Sequence, residues 1–195
     1  PITCPDGAMQ TLGALLYEGL FALDGSFDPQ PALAESYTYD AARYTYTITL
    51  RSGVTFSDGS AVTARDVVNS LRRAQSSALA EVSDLWASGG AVRITLTGDN
   101  RSFVSRLDIP IVKSGTESST FPTGTGPYAY SGEGGAHLAK NASWWQGKSL
   151  PLERIELTAC KDTDSVSYAF YAREVQLLFC DLTGADDSIV YGSGD

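Results

Sequence analysis

Apolar residues recur at three-to-four spacing from Met9 to Phe21, with Met9, Leu12, Leu16 and Leu20 on one stripe reinforced by Leu15 and Phe21. That spacing predicts an amphipathic helix. After the polar turn Asp24-Gly25-Ser26, the stretch Asp28-Pro29-Gln30-Pro31 reads as an extended connection, because each proline ring fixes φ and removes a donor. The period then changes to two. Tyr44, Tyr46, Ile48 and Leu50 face one way and Thr45, Thr47 and Thr49 the other, the pattern of a half-buried strand. Ser57-Asp58-Gly59-Ser60 is a turn, and Thr63 with Asp66 three residues on resembles a capping box that opens a helix through Val67, Val68 and Leu71. A second alternating run, Val92, Ile94 and Leu96 against Arg93, Thr95 and Thr97, predicts a strand antiparallel to the first.

Residues 37–113 thus form a β-rich subdomain, and the Ser-, Thr- and Gly-rich stretch from Lys113 to Pro127 reads as a hinge or packing turn behind it. Tyr128–Tyr130 and His137–Lys140 flank Gly132, Gly134 and Gly135 as a hairpin with a loose tip. A strand through Ile155, Leu157 and Ala159, a helix with Val166, Ala169 and Phe170 on one face, and the apolar run Leu177-Leu178-Phe179-Cys180 then read as one βαβ unit. A fully apolar strand needs neighbours on both edges, and the sequence offers too few of them.

With 43% hydrophobic and 19% charged residues, the 195-residue chain can bury a substantial core. Fourteen basic against 23 acidic residues give a net charge of −9, which argues against nucleic acid and anionic lipid as partners. No stretch reaches the roughly 20 apolar residues needed to span a bilayer. The three cysteines, Cys4, Cys160 and Cys180, permit at most one internal disulfide.

The chemistry of turnover is hard to place. A catalytic triad would have to use His137, the single histidine, which reads as an exposed hairpin residue with no nucleophile motif beside it. The cysteines and that histidine lack the short spacing of a zinc site. Gln146-Gly147-Lys148-Ser149 fails as a phosphate loop because the glycine needed five positions before Gly147 is Ala142. Asp162 and Asp164 have the residue type for cation coordination or acid–base work, and equally for capping the helix that follows. Trp144-Trp145 reads either as a stacking platform or as a split pair, one ring buried and one half exposed. Asn100-Arg101-Ser102 and Asn141-Ala142-Ser143 match the glycosylation sequon.

Taken in order, the segments resemble the peptide- and nickel-binding class of bacterial extracytoplasmic solute-binding proteins, the receptors of ABC importers. The resemblance runs through Leu16-Tyr17-Glu18-Gly19-Leu20-Phe21, Pro31-Ala32-Leu33-Ala34-Glu35-Ser36-Tyr37, Tyr46 to Gly59, and Val62-Thr63-Ala64-Arg65-Asp66-Val67. It continues through Asp108 to Val112, Gly124-Thr125-Gly126-Pro127-Tyr128, Asn141 with Trp144, Trp145 and Gly147, and Leu152-Glu153-Arg154-Ile155.

The resemblance implies a mixed α/β fold: a periplasmic-binding-protein-like lobe, 1–36 with 114–195, carrying 37–113 as a β-rich insertion. It also implies truncation, with the second lobe and the first strand absent. It implies capture of an oligopeptide, dipeptide or similar small solute between two lobes, without cofactor, metal or turnover. The partners it implies are a membrane permease and no nucleic acid, for a monomeric protein at the cell surface or in the periplasm. Solute contacts carried over by the resemblance fall on Thr3, Cys4, Pro5 and Asp6, and on Asp162 and Asp181, where an acidic group would pair with a peptide ammonium. Asp6 reads equally as a helix cap. Two other readings stand beside it: an acid–base glycoside hydrolase using Asp162 and Asp181, and a surface sensor or adhesion module.

Overall fold

A computed structural model describes residues 7–74 and 76–177. Helix α1, Gly7–Leu16, stops well short of Phe21. The apolar period continues past Leu16, but the backbone there is taken by a neighbouring segment. The Ile111 amide donates to the Glu18 carbonyl at 2.9 Å and the Phe21 amide to the Leu107 carbonyl at 3.2 Å. A Cβ on Gly19 would lie 2.7 Å from the Asp108 carbonyl carbon, so only glycine permits this approach. Leu20 and Phe21 therefore enter the core from extended chain, fully buried.

Strands β1, Phe21–Leu23, and β2, Pro29–Pro31, close a short antiparallel hairpin, so the expected connection is itself a paired strand. The main sheet comprises β3, Ala34–Asp40, β4, Thr45–Leu50, β5, Val82–Ser88, and β6, Ala91–Leu96, in the order β3-β4-β6-β5 and antiparallel throughout. Its inward residues Tyr46, Ile48, Val92 and Ile94 are fully buried beneath Val67 and Leu71 of α2, Ala64–Ala74. The central strands β4 and β6 carry the predicted alternation. The edge strands β3 and β5 were not expected, because most of their residues are exposed and leave no apolar period to read. Leu20, Phe21, Leu33 and Ala34 belong to the same core as this sheet.

The capping box opens α2 as predicted, with the Thr63 amide donating to Asp66 Oδ2 at 3.0 Å and the Asp66 amide to Thr63 Oγ1 at 3.4 Å. Its role is wider than starting a helix, since Asp66 Oδ1 also accepts the Ser114 amide at 3.0 Å. Burial pushes the Asp66 pKa up, but the hydrogen bonds from Thr63 and Ser114 outweigh it and leave the group below the usual carboxylate value. Beside it the buried Ser70 hydroxyl accepts from the Val112 amide at 3.0 Å and lies 3.1 Å from the Val112 carbonyl, pinning the 112–114 segment to α2.

A three-stranded sheet follows, of β7, Tyr128–Ser131, β8, His137–Lys140, and β9, Arg154–Glu156, in that order and antiparallel. It shares a second core with α1, made of Leu16, Tyr17, Val112, Tyr128 and Leu138. Because β9 pairs along the outer edge of β8, His137 sits in a central strand and is buried, not exposed as the hairpin pattern implied. Its Nδ1 lies 2.8 Å from the Gly135 carbonyl. Helix α3, Thr163–Tyr171, buries Ala169 but leaves Phe170 42% exposed, so the expected apolar face is only partly covered. Of the expected βαβ unit the helix is present, whereas the strand is shorter than its pattern implied: β9 includes Ile155 but ends at Glu156, before Leu157 and Ala159. The unit's last strand, except for Leu177, lies outside the described residues.

The loop from Lys113 to Pro127 is a packing turn. A Cβ on Gly124 would lie 2.1 Å from the Leu16 carbonyl oxygen, and one on Gly126 2.5 Å from that of Leu15. The Gly126 amide donates to the Leu16 carbonyl at 3.0 Å, so backbone meets backbone at the end of α1.

Candidate functional site

Of the residues expected to face a solute, Thr3, Cys4, Pro5, Asp6 and Asp181 lie outside the described residues. Asp162 is placed. It is the N-cap of α3, with Oδ1 accepting the Ser165 amide at 2.8 Å and the Ser165 hydroxyl at 2.6 Å. The Ser165 hydrogen bonds hold its pKa below the usual value. The capping role thus accounts for its position. Beside it, Thr158 to Lys161 and the α3 residues Asp164, Ser165, Tyr168 and Ala169 line an open depression of about 520 Å³ that also reaches Glu174. Cys160, partly exposed there, is a free thiol. Among the described residues no group of three or more His, Cys, Asp or Glu side chains is arranged to hold a metal ion.

The aromatic pair Trp144-Trp145 belongs to a cluster that the sequence did not disclose. Glu18, in the chain that leaves α1, receives three side-chain donors from one turn. Trp145 Nε1 donates to Oε2 at 2.6 Å, while Trp144 Nε1 and Gln146 Nε2 donate to Oε1 at 3.3 and 2.8 Å. Both indoles are partly buried, so the expected split between a buried and a half-exposed ring does not occur. The rings also carry cations: the Arg51 guanidinium lies 5.2 Å from the Trp145 centroid and the Lys148 ammonium 6.0 Å from that of Trp144. With indole nitrogens committed to Glu18 and a cation against each ring, the pair functions as a clasp. Trp145 packs on the main core, and Arg51 Nε donates to the Ala32 carbonyl at 3.1 Å, so the clasp ties α1's exit to the large sheet. Glu18 is more than a hundred residues from its donors, which is why no local pattern could have found it.

The turn Asn141-Ala142-Ser143 that leads into the clasp is fixed from below. The buried Asn141 side chain donates to the Gly126 carbonyl at 2.9 Å, so this sequon is occupied as structure. Tyr17 and Thr125 bury hydroxyls that find no hydrogen-bond partner among the described residues, and burial pushes the Tyr17 phenol up to about 12. The arrangement holds elements in place, and no nucleophile with an adjacent base emerges from the placed residues.

The described residues form a mixed α/β lobe built around an antiparallel four-stranded sheet, and comparison with known proteins gives its class. The family model for bacterial extracellular solute-binding proteins, family 5 Middle, matches residues 28–188. The chain belongs to that family. It is similar to the glutathione-binding protein GsiB of Salmonella typhi, 29% identical over 204 residues that cover 92% of this chain and 39% of the relative. Among solved structures it is similar to a nickel ABC transporter protein of Bacillus halodurans, with a TM-score of 0.71 and 27% identity over 87% of this chain and 38% of the other. It is also similar to MoaA of A. tumefaciens R10, solved in complex with mannopinic acid, with a TM-score of 0.73 and 25% identity over 88% of this chain and 40% of the other. The chain therefore spans about two fifths of the length of the relatives it matches.

Proposed function

We propose that this chain is one lobe of the substrate-binding receptor of an ABC importer, which captures a short peptide or a similar small solute between two lobes outside the cytoplasm and delivers it to a membrane permease. The observation that carries this reading is the family match over residues 28–188. A relative named for glutathione, itself a tripeptide, supports a peptide-like solute, whereas the nickel transporter and the mannopinic acid complex mark how widely related proteins vary. Capture is binding without turnover, with the solute trapped as the lobes close. In this reading residues 1–36 and 114–195 build the lobe around the inserted 37–113. In the same reading the solute meets Thr3, Cys4, Pro5 and Asp6, together with Asp162 and Asp181.

The test is mass spectrometry of the full-length protein, purified gently and then denatured. Release of short peptides, glutathione among them, is the expected result. A single metal chelate without any peptide mass would replace the solute class. No bound solute, together with no calorimetric response to glutathione or a dipeptide mixture, would overturn the reading.

A further inference from the structure

The two edges of the main sheet are finished differently. At one edge, β5, the Leu85 amide donates to Asp84 Oδ1 at 2.8 Å and the Leu85 carbonyl accepts Arg72 Nη2 at 2.6 Å, so side chains cap the main chain there. The other edge, β3, has no such cap. At the two ends of β4 the Tyr44 carbonyl accepts the Leu96 amide at 2.9 Å and the Leu50 amide donates to the Gly90 carbonyl at 3.4 Å. Main-chain groups alternate in direction along a strand, so Tyr46 and Ile48 also bond to β6, while Thr45, Thr47 and Thr49 bond to β3. Their register partners Asp40, Thr38 and Ser36 therefore bond inward, and the amides and carbonyls of Tyr37 and Tyr39 point away from the sheet, where no described residue bonds them.

Proteins blunt such edges with proline, lysine, a bulge or a cover. Strand β3 contains no proline, lysine or arginine, its register slip is confined to its start, between Ala34 and Ser36, and residues 35–38 are exposed. Main-chain donors and acceptors at strand spacing match one kind of occupant, another extended strand. The side chains fit a copy of β3 itself. With a two-fold axis at Thr38, Tyr37 and Tyr39 of one copy lie opposite Tyr39 and Tyr37 of the other, and each pair exchanges both main-chain hydrogen bonds. Thr38 meets Thr38 and Ser36 meets Asp40, so aromatic faces aromatic, hydroxyl faces hydroxyl, and no like charges stand directly opposite. Asp40 brings its own cation, Arg43, at 3.3 Å. An axis at Tyr37 would run Tyr39 against Glu35 at the register slip, and one at Tyr39 would push Tyr37 past the end of β3 onto Ala41. We infer that β3 pairs antiparallel with β3 of a second copy about a two-fold axis at Thr38, joining two four-stranded sheets into one continuous sheet. This departs from the monomer that the family resemblance implied.

The experiment follows amide hydrogen exchange and sedimentation of the full-length receptor across a dilution series. So short a pairing buries less than a stable interface needs, so the dimer is expected in concentrated samples and dissociates on dilution. The Tyr37 and Tyr39 amides should exchange about tenfold more slowly in the concentrated sample, while the Thr38 amide, bonded within the sheet, is protected at every concentration. Thr38→Lys sets like charges against each other at the axis and should weaken association about tenfold, with the melting temperature unchanged. Thr38→Cys places two thiols at a non-hydrogen-bonded pair within disulfide reach, so mild oxidation should link the copies, whereas Thr49→Cys, on the same face of the central strand β4, should link no more than wild type. Fast exchange of both tyrosine amides at all concentrations would overturn the dimer, as would Thr38→Lys associating like wild type. Slow exchange at every dilution would assign the edge to the receptor's own remaining chain, and protection that appears only with a dipeptide mixture or the permease–ATPase complex would assign it to that partner; either result would overturn the proposal.

Discussion

Replacing Glu18 by alanine deletes the acceptor of three donors at once, the two indoles and the Gln146 amide. A hydrogen bond to a charged acceptor contributes about 1.5–3 kcal/mol net. The three share one carboxylate and the cluster is only partly buried, so water replaces some of the loss and the terms do not add. A destabilisation of about 2–4 kcal/mol follows, which for a chain of this size lowers the melting temperature by roughly 5–15 °C. Glutamine is the sharper probe. With its carbonyl oxygen in the place of Oε1 it still accepts from Trp144 and Gln146, but its amide then confronts the Trp145 N–H, donor against donor. Glu18→Gln is expected to cost about half as much as alanine, roughly 1–2 kcal/mol. Two of the chain's three tryptophans report directly, so urea unfolding followed by fluorescence measures both variants, with a red-shifted native emission in Glu18→Ala. If Glu18→Ala costs less than about 0.5 kcal/mol, the ordinary range for an exposed substitution, the clasp contributes nothing and the argument fails.

Further outcomes follow from other contacts. Asp58 is held at a pKa of about 2 by hydrogen bonds from Lys113, at 2.5 Å, and from Ser60. Its folded pKa lies below the unfolded value, so its contribution is complete above the usual carboxylate range and is lost as pH falls from about 4 towards 2. An NMR titration of the Asp58 carboxyl should show that low midpoint, and Lys113→Met should move it up towards the ordinary value; an unmoved midpoint would assign the depression elsewhere. Gly124→Ala places a methyl group against the Leu16 carbonyl and the Tyr17 ring and should cost about 3 kcal/mol or more in urea unfolding. Gly98→Ala, which meets open space, should stay within about 0.5 kcal/mol. Ser70→Ala orphans the buried Val112 amide and should cost about 1–3 kcal/mol by the same assay, with faster hydrogen exchange at Val112.

The sequence disclosed what short-range periodicity controls. The threonine alternation of β4, the Val92-Ile94-Leu96 run of β6 and the Thr63–Asp66 box all sit where their patterns place them. What it concealed was settled by distant partners. Leu20 and Phe21 continue a helical stripe, yet the 107–111 backbone draws them into extended chain, a tertiary choice that overrides local preference. Edge strands β3 and β5 expose most of their residues and give no period. His137 is buried by β9, which enters the sheet from some twenty residues downstream. The candidate solute contacts were reached through family resemblance and not through local chemistry, and of these Asp162 alone is placed, as a helix cap.

The glycines at 19, 124 and 126 let backbone rest directly on backbone around the end of α1. A joint made of main-chain atoms has no rotamers, so it does not loosen when neighbouring side chains change identity. Leu12, Leu15 and Leu16 can therefore drift among apolar residues while the helix keeps its seat. What such a joint cannot absorb is a single added carbon. A deep mutational scan read for folding should accordingly accept exchanges among apolar residues at Leu12, Leu15 and Leu16 and reject every added side chain at these three glycines.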